Sequence, residues 1–143
     1  MWARWPLVTM QWLMAIVYLD AVMSKMVQGG LDWMNGYTLQ HYLLWDGLRK
    51  ENATAVWLAQ QHHLAILLSC LTVMFEATFV LAVIRPRLRW FYIPLGSTLH
   101  AGMYVTMETP FFQFVALYCV FVPWSRLRWP SRDPEPARLI EGA

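Results

Sequence analysis

Charged side chains are scarce in this sequence: they make up 14% of its 143 residues, where a soluble domain carries about 25%. Apolar residues fill the deficit at 58%, with nine Trp and nine Met among them. Strong basicity is missing too. A formal net charge of +2 is too small a field to hold nucleic acid. Only two cysteines occur, Cys70 and Cys119, each inside an apolar run with no Cys or His at ligand spacing. That excludes a disulfide scaffold and reads both as small buried hydrophobes. The sequence also lacks a glycine-rich phosphate loop, a nucleophile elbow, a zinc motif and an internal repeat. Its first apolar run is not followed by a secretory cleavage pattern, so it is expected to stay as a helix.

What is present is a set of long apolar runs in one domain-sized chain. Four spans are expected, at about 7–23, 64–84, 90–107 and 111–124. The second is stopped by Arg85-Pro86-Arg87, and Pro94 lies near the start of the third, where a missing N–H is tolerated. The fourth lies between Pro110 and Pro123 and is short against the roughly 20 residues a spanning helix needs. These runs predict an all-α integral membrane protein. Its fold is a bundle of four transmembrane helices over 1–129, with a partly helical outer loop and a disordered tail over 130–143.

Orientation follows from the basic residues. With four spans, Arg4, Arg85, Arg87, Arg89, Arg126, Arg128, Arg132 and Arg138 share one side, eight of the eleven Lys and Arg. The positive-inside rule then puts both termini in the cytoplasm and Lys25 outside. In the outer connection, Leu39, Tyr42, Leu43 and Trp45 suit a helix lying in the interface. Asn52 or Thr54 can cap a helix that runs on continuously into the second span, and "NAT" at Asn52 is also a glycosylation sequon.

Polar groups within apolar runs need an explanation, because an ionisable side chain at a helix centre costs about 2.5–3.5 kcal/mol on insertion scales. Gln11, Met14, Tyr18, Ala21 and Lys25 follow steps of three and four and form one stripe. Asp20 points about 140° away from Lys25 around the helix, so the two do not pair within it. Lys25 is either a snorkelling boundary residue or a functional amine. In the second span His62, Ser69 and Glu76 recur every seven residues, with Thr72 beside them. That seam is either helix packing around a protonated Glu76 or part of a site. In the third, Ser97, His100, Tyr104, Met107 and Glu108 share a broad face. His41, His62 and His63 lack the spacing of a metal site, and no metal is expected.

The stretch Tyr18, Lys25, then Asp32-Trp33-Met34-Asn35-Gly36-Tyr37-Thr38 gives a Tyr, a Lys seven residues on, and "DW..GY". It resembles the vitamin K-dependent gamma-carboxylases and their bacterial relatives, the horizontally transferred transmembrane (HTTM) domain proteins. An acid-bearing helix with Glu76, the Arg85–Arg89 break and "STLHAGMY" with His100 follow in the family's order, over about 6–129. The resemblance implies an inner-membrane protein that binds a quinone, vitamin K-like, or a lipid. It implies that Lys25 is the base for the reduced quinone and His100 a second catalytic group. Tyr18, Trp33, Tyr37 and Glu76 would then line the site. The family's preceding helices and large extramembrane domain have no counterpart here. A partial member is therefore expected rather than a complete carboxylase, with another membrane subunit supplying helices. The sequence also resembles DoxX-type and MauE-type proteins in length and span number, which implies a non-enzymatic membrane subunit supporting a partner or redox complex.

Overall fold

A computed structural model describes residues 5–124 of the chain. Arg4, the basic residues from Arg126 onward and the 130–143 tail lie outside them. The described residues are helical, with no strand among them. The helices are α1 (Trp5–Gly29), α2 (Tyr37–Arg49), α3 (Ala53–Ala59), α4 (His62–Thr78), α5 (Val80–Ile84), α6 (Arg89–Met107) and α7 (Phe112–Leu117). Short 3-10 turns follow α1 (Gly30–Met34), precede α6 (Pro86–Leu88) and follow α7 (Tyr118–Phe121).

The stripe of α1 is the side it turns to its neighbours. Gln11, Met14 and Tyr18 are buried and Ala21 and Lys25 half-buried, while Leu13, Ile16 and Val17 on the other side are exposed. Met14, Ala15 and Tyr18 pack on Phe75, Phe79 and Ala82 of the α4–α5 segment, closed by Tyr92, Tyr118 and Phe121. A second, smaller core joins Leu43 of α2 to Ala55 and Ala59 of α3. In α2 the buried residues are Leu43 and Gly47, whereas Tyr42 and Trp45 are exposed, so the four apolar residues expected on one side divide between two.

Asn52 is the cap of α3: its side chain accepts the Ala55 N–H at 3.1 Å. The continuous helix expected from there is broken. The axes of α3 and α4 differ by 95°. Gln60 and Gln61 close tight turns onto the carbonyls of Trp57 and Leu58 at 3.1 and 3.0 Å, and Gln61 leaves the helical region. The side-chain amide of Gln40 holds the corner. It donates to the Ala59 carbonyl at 2.6 Å, and its oxygen lies 2.7 Å from His62 Nδ1. Two further expectations are corrected. Pro94 lies inside α6, since that helix already starts at Arg89. Cys119 is exposed and Cys70 half-buried, so neither is a core residue.

The molecule has two distinct ends. At one, Gln11 Nε2 donates to the Val120 carbonyl at 2.7 Å and Arg89 ties to Gln11 and Ala82 at 3.0 Å. At the other, Asn52 donates to the Val105 carbonyl at 2.8 Å and Lys50 donates to that of Met107. Lys25 lies towards this second end, near the C-terminus of α1.

By length and composition, α1 with its following turn (Trp5–Met34) is the one described helix long and apolar enough to cross a membrane. The bent pair α3 and α4 adds a second if counted as one span. The Phe112–Phe121 segment has 10 residues, a rise of about 15 Å, half the hydrocarbon thickness.

Candidate functional site

Lys25 leaves α1 on the face turned to α4 and meets Glu76. Its Nζ lies 2.5 Å from both carboxylate oxygens, a bidentate contact between residues 51 positions apart. The side chains retain 19% and 10% of their exposure, so the pair is mostly withdrawn from solvent. Glu76 reaches it because α4 buries Ala65, Ser69, Val73 and Glu76 along one side. The seam expected every seven residues therefore ends on a cation. Glu76 is partnered, not an isolated acid among hydroxyls.

The Trp33 ring covers the amine at 5.7 Å, within cation–π range. Trp33 stands there because the chain breaks at two glycines. A Cβ on Gly29 would sit 2.8 Å from Trp33 Cδ1, so a larger residue would push the indole away. Tyr37 does not join this roof. Its ring packs on His62 at 4.6 Å and it is largely exposed.

Two helical turns before Lys25, about 10 Å along the axis, Tyr18 centres a second polar group. Its hydroxyl lies 2.9 Å from His100 Nε2 and 2.5 Å from the Tyr118 hydroxyl. Its ring contacts Phe75 edge-on at 5.3 Å and Phe79 at 4.5 Å, and His100 stacks on Phe114 at 5.3 Å. His100 Nδ1 is buried with no hydrogen-bond partner among the described residues. If Nδ1 carries the proton, Nε2 accepts from Tyr18, which accepts from Tyr118. If Nε2 carries it, each bond reverses. Either way two hydrogen bonds join the three side chains in one direction.

The sequence-predicted residues thus fall into two clusters on one bundle face: Lys25, Glu76 and Trp33, and Tyr18 with His100. Tyr37 stands apart. Tyr118 was not anticipated, although a hydroxyl inside "ALYCVF" is a polar atom in an apolar run. Gln40 was missed too, because its role is to fasten a corner that no Pro or Gly marks. About a fifth of the Lys25 side chain remains exposed beside Glu76. Among the described residues no three His, Cys, Asp or Glu side chains are grouped to hold a metal ion. Comparison with known proteins gave no match to any family model, curated protein or solved structure.

Proposed function

We propose that the chain is an integral membrane protein of the HTTM and gamma-carboxylase type, with four membrane-embedded helices. In this reading Lys25 and Glu76 handle the proton of a lipid-soluble quinol. The observation that carries the reading is the Lys25–Glu76 contact itself: an amine shared by two carboxylate oxygens, at the end of an apolar helix and under an indole. The outward side chains support the setting. Leu13, Ile16, Leu67, Met74, Phe91 and Val105 are all exposed, a distribution suited to hydrocarbon rather than water.

Taking two opposite charges out of water is costly, and passing one proton from Lys25 to Glu76 removes both. The 2.5 Å contact lets that transfer occur without side-chain motion. The neutral amine then has a lone pair. It accepts a phenolic proton: an N–H bond forms, the ligand's O–H bond breaks, and the charge left on oxygen faces a new ammonium. Trp33 supplies a flat apolar surface for a flat ring. A reduced quinone offers such a ring and two acidic hydroxyls, and it reaches the site through the bilayer. Tyr18, His100 and Tyr118 form a second proton-conducting group deeper along α1.

Lys25 and Lys50 are the only lysines, so acylation can be followed on two peptides. In lipid nanodiscs, an added naphthohydroquinone should slow acylation of Lys25 several-fold and leave Lys50 unchanged. Equal effects on both, or none, contradict the proposal.

One observation favours the second reading, a subunit that supports a partner. Asp20, Ser24 and Gln28 lie four residues apart on the exposed side of α1, with Gln28 donating to Ser24 at 3.0 Å. An acid facing lipid is costly unless another helix meets it. Under this reading Asp20→Leu shifts the particle in mild detergent to a smaller mass. An unchanged mass removes the argument for a partner at this face.

A further inference from the structure

The end of the bundle opposite Lys25 carries a separate constellation. A cleft of about 300 Å³ opens between Arg89, Trp90 and Ile93 of α6 and Phe121 and Val122 beyond α7. Arg89 is fixed within it. Its Nε donates to the Ala82 carbonyl and one Nη to Gln11 Oε1, both at 3.0 Å, and its guanidinium lies 5.4 Å from the Phe121 ring centre. Gln11 is itself anchored on the Val120 carbonyl. These bonds use two of the five guanidinium N–H groups and leave three for an anion. Arg85 and Arg87 are exposed on the adjoining turn, and none of the three arginines has a carboxylate at ion-pair distance among the described residues.

We propose that this cleft binds an anionic phospholipid. The phosphate sits on the open side of Arg89 with Arg85 and Arg87 at its rim, and an acyl chain lies between Ile93 and Val122. The inference rests on the membrane reading above but not on the Lys25 chemistry. A fixed guanidinium matches phosphate geometry through paired N–H bonds. A zwitterionic headgroup would bring its own cation towards three guanidinium groups. A free phosphate would leave the apolar walls unused. Trp90, 81% exposed beside the arginines, is placed like an interfacial anchor.

The test is native mass spectrometry of the full chain from mixed micelles containing dioleoyl phosphatidylglycerol or dioleoyl phosphatidylcholine. Phosphatidylglycerol should be retained preferentially, by about fivefold for each basic residue engaged. Arg85→Gln combined with Arg87→Gln changes only exposed side chains, so folding is kept. It should reduce phosphatidylglycerol retention and leave phosphatidylcholine unaffected. Ile93→Trp narrows the apolar part and should weaken lipid retention with all three arginines present. Equal retention of the two lipids overturns the proposal, as does unchanged retention in the double variant. Displacement by equimolar glycerol phosphate would mean a free-anion site, and that overturns it as well. A chain that stays in the aqueous fraction refutes the membrane reading. A membrane-inserted chain without lipid preference refutes only this inference.

Discussion

Glu76 is the residue on which the site turns, because it is the only carboxylate at ion-pair distance from Lys25 among the described residues. Replacing it with Leu leaves a half-buried ammonium without its acceptor, a loss of about 1–3 kcal/mol. Glu76→Gln keeps a carbonyl oxygen for the ammonium, so its loss in a detergent melt should be clearly smaller. If both variants melt like the native chain, the Lys25–Glu76 contact carries no stability. At this scale the sequence was partly legible. The steps of three and four place Tyr18 and Lys25 on one side of α1, and the spacing of seven places Ser69 and Glu76 on one side of α4. Their meeting was not legible, since periodicity within each helix says nothing of which helices face each other. Tyr37 shows the same limit. Its place in a motif beside Trp33 suggested a shared role, yet it packs on His62.

Among the elements, α6 and the turn after α7 approach closely at Gly96. A Cβ there would fall on the Tyr118 hydroxyl and lie 2.7 Å from Phe75 Cζ. Gly96→Ala should therefore destabilise by about 1–3 kcal/mol through overpacking and displace Tyr118 from Tyr18. Tyr118→Phe removes the nearest of three crowding atoms and leaves Phe75 Cζ and the residue-118 ring carbon at 2.7 Å. The double variant should therefore melt higher than Gly96→Ala alone but recover only part of the loss. If adding Tyr118→Phe lowers the melt further, Tyr118 is not what the new methyl meets. Element limits were legible where Pro or charged residues mark them, as at Arg85-Pro86-Arg87. The corner between α3 and α4 was not, because Gln40 makes it from another helix. The short last helix was foreseeable from the twelve residues between Pro110 and Pro123.

For the whole molecule, the scarcity of charge and the apolar runs made an all-helical chain legible, and the described residues form helices joined by short turns, with no strand among them. Its two ends differ in charge, with Arg85, Arg87 and Arg89 at one and the Lys25 site towards the other. Under the proposed four-span arrangement, a reporter inserted near Asn52 should read external and one fused after Ala143 cytoplasmic. The same side for both would require an even number of crossings between them, against the three that the four-span arrangement places there. The most direct measurement is the ultraviolet difference spectrum of a naphthohydroquinone titrated, without oxygen, into the protein in nanodiscs at neutral pH. Bound ligand should show the phenolate band with the native chain and lose it with Lys25→Met, while Lys50→Met keeps it. A spectrum that stays phenolic with the native chain, or a phenolate band that survives Lys25→Met, would contradict Lys25 as the base.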